Sequence, residues 1–423
     1  MTNVQRKPTI VAIMAIALSA MLLTMSWSIV SAKVAKINIS EKESKQVPEY
    51  IMVGGQSGSW FTTTQHPELY KVGLGTGRGK WTTLETVSGA GSVWSGGWNG
   101  SDWLVTGWGW GDEQGLNPYM NVFDSSGTTQ LFFSNYSESS SAEQEWAGGD
   151  MFSATWNGSI WLLTGMGSGY LAGYGSTNHL SMGFLTANGT FIDLSGQIPD
   201  QQDGILYASS WNGQYWLVGG GWYGFDTGVL YMVSQGGAVT NLAALIQSGV
   251  PTFDSVQTIA WNGEYWLIGG VGFLAEYNPT TSAVYDMTSK LNLVLGANDS
   301  LSASLDNAVN SIAWTGNYWM LGGGVPVGHA GGTNSTAWVA SYDPSADSAS
   351  SEFKNLEIIP GADVSSDEMS SILSMSCLGT GCAIGGFSNE KPILIWYNGN
   401  TSTDISGSIP AANMTYAQWV GIG

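Results

Sequence analysis

The residues with most chemical potential sit in short clusters of aromatic rings and carboxylates. Trp108, Trp110, Asp112 and Glu113 form one such group, and Trp222, Tyr223 and Asp226 form another. Trp60, Tyr170, Tyr174, His179 and His329 occupy comparable segments. Rings beside carboxylates suit carbohydrate or peptide contacts, because the apolar face stacks while a polar group fixes orientation. Neighbouring carboxylates such as Asp112 and Glu113 also supply the functional groups of glycoside cleavage. The same aromatics serve equally well as filler between loops.

A second set is acidic. Asp150, Asp203, Asp254, Asp306 and Asp367 each precede an apolar run. Gathered around one opening, such carboxylates would hold Ca²⁺ or a cationic ligand, since hard cations need several oxygen ligands. As isolated turn formers they would bind only backbone amides, the more economical reading.

These residues are spaced by a repeat, and the repeat decides the fold. Trp98-Asn-Gly-Ser-Asp-Trp103, Trp156-Asn-Gly-Ser-Ile-Trp161, Trp211-Asn-Gly-Gln-Tyr-Trp216, Trp261-Asn-Gly-Glu-Tyr-Trp266 and Trp314-Thr-Gly-Asn-Tyr-Trp319 align without gaps. Each continues into an apolar run ending in Gly. A sixth copy has cysteines in both Trp places, Cys377 and Cys382. Successive copies start 58, 55, 50, 53 and 63 residues apart, a period suited to one four-stranded propeller blade. In the clearest copy the strands are 256–261, 265–269, 274–277 and 283–287, with Asn262-Gly263 as a hairpin turn in which both residues tolerate positive φ. No stretch of the body has a sustained helical period.

The ends complete the set. Residues 51–55 read as a second strand lacking its first, and residues 414–421 as a first strand lacking its second. Joined, they make a seventh blade, so the expectation is an all-β, seven-bladed propeller closed by pairing the C-terminal strand with the first blade. Closure of this kind leaves no open sheet edge between first and last blades. The Trp pairs then face one side of each sheet and pack between blades. Joint replacement of both Trp by Cys predicts a Cys377–Cys382 disulfide in an exported chain. A zinc site there would need two further ligands, and the three histidines are scattered.

The pattern resembles the kelch repeat over residues 49–423. Gly54-Gly55, Gly219-Gly220, Gly269-Gly270, Gly322-Gly323 and Gly385-Gly386 match its double glycine, and Tyr277, Tyr342 and Tyr397 its third-strand tyrosine. Thr106-Gly107 and Thr164-Gly165 depart from it, and most units lack the fourth-strand Trp, for which Trp81 is the best candidate. The resemblance, to kelch and galactose-oxidase central-domain repeats, implies fold more than function. That family includes partner-binding modules and a copper oxidase, which the resemblance implies would need paired His ligands, Tyr ligands and a Cys cross-linked to Tyr, whereas both cysteines here already have a place in the repeat.

Composition and charge set the address. Residues 1–32 read as a signal peptide or N-terminal anchor: Arg6 and Lys7 precede an uncharged stretch, residues 8–32, that is also long enough to tether the chain to a membrane. Residues 33–48 form a polar linker. The formal net charge is −20, and with six of the twelve cations lying before residue 46 the body carries 6 cations against 30 anions. Such a surface repels phosphates, which excludes nucleic acid as a partner. Nine Asn-x-Ser/Thr sequons (Asn38, Asn99, Asn135, Asn157, Asn188, Asn298, Asn334, Asn400 and Asn413) are candidate glycosylation points in an exported chain.

The connections between second and third strands, and between one unit and the next, are the long ones, and alternation puts both on one face. The leading expectation is a non-catalytic cell-surface module that recognises a glycan or extracellular protein there, with no obligatory cofactor. An extracellular glycan-active enzyme using loop carboxylates is the alternative, and an architectural envelope protein the third.

Overall fold

The computed structural model describes residues 50–58, 66–74, 81–84, 91–110, 116–124, 126, 129–132, 150–167, 179–222, 227–295, 307–325, 336–346, 352–359, 370–409 and 414–422. They form antiparallel sheets of four strands each. The first holds β1 (Tyr50–Ser57), β2 (His66–Gly73), β3 (Trp81–Thr83) and, from the far end of the chain, β28 (Tyr416–Ile422). The second runs β4 (Gly91–Trp98), β5 (Asp102–Trp110), β6 (Leu116–Asp124) and β7 (Thr129–Phe132). β8 (Asp150–Trp156), β9 (Ile160–Gly167), β10 (His179–Thr186) and β11 (Phe191–Asp193) make the third. β12 (Ile205–Trp211), β13 (Tyr215–Trp222), β14 (Thr227–Ser234) and β15 (Val239–Asn241) make the fourth, and β16 (Val256–Trp261), β17 (Trp266–Gly270), β18 (Phe273–Asn278) and β19 (Ala283–Asp286) the fifth.

Two further sets of four, β20 (Ala308–Trp314), β21 (Trp319–Gly324), β22 (Trp338–Tyr342), β23 (Phe353–Asn355) and β24 (Ser370–Leu378), β25 (Gly381–Ser388), β26 (Lys391–Tyr397), β27 (Ser402–Asp404), touch through a single bridge, Gly324 to Ser371. The inner strands β4, β8, β12, β16, β20, β24 and β28 each contact the next, and β28 contacts β4. β28 lies antiparallel on β1, with Ile51 opposite Ile422 and Met52 opposite Gly421.

Each Trp pair sits directly opposite across its hairpin, with ring centroids 4.3–5.2 Å apart. The second Trp of each pair is buried. Packing runs between sheets: Trp161 lies against Gly97 of the preceding inner strand, and Trp103 against Gly421. The core is accordingly a series of inter-sheet clusters, one joining Val53 and Tyr70 to Leu394 and Trp396, another joining Met52 to Val93, Trp103 and Trp419. Cys377 and Cys382 occupy opposed positions of the sixth pair and are disulfide-bonded.

The hairpins depart from expectation in one respect. Only the glycine is left-handed, as at Gly263 (φ +102°), and the second strand begins at Trp266, one residue later than expected. The Asn works through its side chain instead: Asn262 Oδ1 accepts hydrogen bonds from Glu264 N and Tyr265 N, both at 2.9 Å. In the Thr-Gly copy Thr315 Oγ1 takes that role for Tyr318 N at 3.1 Å. Two short helices were also not expected, α1 (Ala243–Gly249) and α2 (Thr288–Leu295). Each has about two turns and seals its sheet with one or two residues, Ile246 in α1 and Leu291 and Leu295 in α2, too few to generate a periodic signal.

Every inner strand contains a bulge at the same place: Trp94, Phe152, Tyr207, Gln257, Asn310, Leu373 and Gln418 are each skipped in the register. The bulge pushes an inner-strand carbonyl towards the neighbouring strand, and this accounts for the second glycine of the repeat. A Cβ on Gly220 would lie 1.9 Å from Ile205 O, and Gly55, Gly107, Gly165, Gly270, Gly323 and Gly386 face equivalent carbonyls. The first glycine faces the next unit instead. Gly219 abuts Val256 and Gly269 abuts Val309, whereas Thr106 and Thr164 occur where the next inner strand carries Met151 and Leu206, neither of which branches at Cβ. The departures from the double glycine are thus paired with a change in the neighbour. Gly220→Ala is expected to lower stability by about 3 kcal/mol in denaturant titration. Gly236→Ala, whose nearest new contact is Ser234 Oγ at 3.8 Å, should change it by less than about 0.5 kcal/mol.

Candidate functional site

A bulge adds one residue to one strand and re-aims a side chain that alternation would have placed elsewhere. Here seven such residues line one cavity of ≈ 180 Å³, together with flanking residues from the same seven strands. That space holds on the order of ten waters. Its lining is sorted by chemistry around the circuit. β4, β8 and β12 contribute Trp94, Phe152 and Tyr207, whose rings follow one another at 5.1 and 5.2 Å. β16, β20 and β28 contribute the amides Gln257, Asn310 and Gln418, and β24 contributes Leu373. Ser95, Ser153, Ser209, Thr258, Ser311 and Ser374 add hydroxyls.

The amides are oriented by their own hydrogen bonds. Asn310 Nδ2 donates to Val325 O at 2.7 Å and to Ser371 Oγ at 2.8 Å. A carbonyl oxygen can only accept, so the amide nitrogen must face Val325 and Oδ1 is left over. Asn310 Oδ1 and Gln257 Oε1 are buried with no hydrogen-bond partner among the described residues. Gln257 Nε2 donates to Ser255 Oγ at 3.1 Å. Gln418 is held between Ser92, whose hydroxyl donates to Oε1, and Gln56, which accepts from Nε2 at 3.2 Å. Buried acceptors of this kind cost free energy unless something donates to them.

The sequence-predicted residues fall elsewhere. Trp108 and Trp110, expected on a loop, lie in β5 with their backbones paired to Pro118 and Leu116, because the strand runs three residues beyond Gly107. Trp222 ends β13 opposite Thr227, which shortens the expected loop. His179 is not a loop residue either: it opens β10 opposite Gly167, is fully buried, and its imidazole occupies the space left by the missing side chain of that glycine. Trp60, Asp112, Glu113, Tyr170, Tyr174, Tyr223, Asp226 and His329 lie outside the described residues.

Of the acidic set, Asp306 and Asp367 also lie outside them. Asp254 accepts a hydrogen bond from Ser255 N at 2.6 Å, as a turn-forming carboxylate does, and the backbone of Asp203 forms an isolated antiparallel β-bridge with that of His179. Asp150 heads β8 with Oδ1 buried and lacking a hydrogen-bond partner among the described residues, and burial pushes its carboxyl up to about 7. Among the described residues no three His, Cys, Asp or Glu side chains gather closely enough to hold a metal. No described helix is long and apolar enough to cross a membrane, and residues 8–32 lie outside the described set.

The fold and cavity define a propeller-type protein of four-stranded antiparallel sheets. No family model matches the chain, and no curated protein is similar to it. Among solved structures it is similar to the extracellular domain of the putative one component system BT4673 from B. thetaiotaomicron, at 11% identity over 79% of this chain and 36% of that one, with a TM-score of 0.48. It is similar to Pyrococcus horikoshii acylaminoacyl peptidase at 10% identity over 85% of this chain and 52% of that one (TM-score 0.47). The Neurospora crassa Pan2 WD40 domain follows at 11% identity over 79% of each chain (TM-score 0.44). The chain thus spans about a third and a half of the length of the first two.

Proposed function

We propose that the chain is an exported recognition module, built as a closed seven-bladed propeller of kelch-like type, that binds a glycan or extracellular protein partner without chemistry. The observation carrying this reading is the shared cavity, whose lining of rings, amides and hydroxyls is suited to holding a ligand. Closure is supported by the pairing of β28 with β1 and by contacts that lead from each inner strand to the next and back to β4. The bulged residues stand near the starts of their strands, the ends that the connections from the preceding unit enter.

Export is supported by the Cys377–Cys382 disulfide, which persists in oxidising compartments. Residues 8–32 then act as signal or tether. Exposed turn residues such as Asn188 and Asn400 are accessible to glycosylation there.

Glycan-array and pull-down screens with the purified full-length protein test the reading. Selective capture in either supports it, and two empty screens with cooperatively folded protein overturn it. Sugar release that disappears in Asp112→Ala or Glu113→Ala would replace it with the enzymatic alternative.

A further inference from the structure

We infer that the cavity enclosed by the inner strands is a binding site for a neutral polyhydroxylated ligand, a sugar residue at the end or branch of a glycan. The inference rests on the recognition reading above and names its ligand class and its residues. Trp94, Phe152 and Tyr207 come from three consecutive inner strands and form a continuous aromatic arc. Gln257 and Asn310 come from the next two; both side chains line the cavity, and the carbonyl oxygen of each is buried with no hydrogen-bond partner among the described residues. The amide nitrogen of Asn310 is committed to Val325 and Ser371, which holds this side chain in one orientation on the cavity wall.

A sugar matches this division. Its C–H face lies on aromatic rings, and its hydroxyls exchange hydrogen bonds with the surrounding serine hydroxyls and amide side chains. A cation would use the acceptors and the ring faces but would leave the hydroxyl donors idle and bring a charge to a lining with no carboxylate among its described residues. An anion finds no cationic side chain in that lining.

The test is titration of the full-length protein with methyl glycosides of neutral hexoses and N-acetylhexosamines, with sialic acid and choline as charged probes. Binding is read by saturation-transfer NMR and tryptophan fluorescence. A neutral glycoside should bind, and Gln257→Met and Tyr207→Ala should each weaken it tenfold or more. Tyr285→Ala, on an exposed outer strand, should leave it unchanged. Thermal unfolding of each variant separates loss of the site from loss of the fold, and Gln257→Met keeps side-chain length for that purpose.

Glycoside binding indifferent to both cavity substitutions overturns the site while leaving glycan recognition standing. Binding of choline or sialic acid alone overturns the ligand class. No small-molecule binding beside a captured protein partner overturns the inference but not the recognition reading, and no binding of any kind overturns both.

Discussion

Removal of residues 416–423 will leave a chain that cannot fold cooperatively. β28 supplies one strand of the first sheet and one wall of the cavity, and no other described segment can take its place. Its loss frees the β1 ladder from Ile51 to Gln56 and withdraws Ala417, Trp419 and Val420 from two core clusters. Truncating one buried Trp typically costs about 3–5 kcal/mol. With two further apolar side chains and a whole ladder lost, the total reaches the about 5–15 kcal/mol by which a domain is stable at all. The bared edge of β1 would also invite pairing between chains. The expected result is aggregation on size exclusion and loss of a single sharp unfolding transition. A monomeric truncated protein unfolding near the full-length midpoint would contradict the role given to β28.

Asp150 should make the protein less stable as pH rises. Its carboxyl is held near 7 by burial, against 3.8 for the free group. Below about pH 4 it is protonated in both folded and unfolded chains and contributes no difference. Between about 4 and 7 the unfolded chain releases its proton while the folded chain retains it, so stability falls with pH and levels off above 7. Each pH unit of that window is worth 1.36 kcal/mol, an upper limit on the order of 4 kcal/mol at pH 8. Asp150→Asn should therefore stabilise strongly at pH 8, have little effect at pH 4, and flatten the profile in urea titrations. An unchanged slope would mean that the carboxyl is solvated.

Much of the fold is legible because a hairpin signature recurs. The Trp pairs five residues apart fix the register of each first hairpin, and the half-units at the two ends predict the contact between β1 and β28. The cysteine pair is legible for the same reason, as a substitution within a known geometry. The placement of the candidate binding residues is less so. Trp108 and Trp110 follow the repeating glycine and so read as loop, yet nothing local stops a strand that alternates Trp and Gly. His179 reads as a loop residue because its stabilising neighbour, Gly167, is twelve residues away across a strand pair.

The cavity residues escape period-two reasoning altogether, because each occupies the one position where the period is broken. A signal for them exists: Trp94, Phe152, Tyr207, Gln257 and Asn310 each stand four residues before the first Trp of a pair. That column varies between ring and amide while the residues around it repeat. Chemical variety at a fixed place in a repeat marks the side chains that the fold does not itself require.

The claim on which the rest depends is that the inner strands close around one cavity with β28 lying on β1. Ile51 and Ile422 stand directly opposite each other in that pairing. In a Cys377→Ser, Cys382→Ser background, Ile51→Cys with Ile422→Cys is predicted to form an intramolecular disulfide in the folded monomer on mild oxidation, detected by mass spectrometry. Two persistently free thiols, or a bond found only between chains, would contradict it.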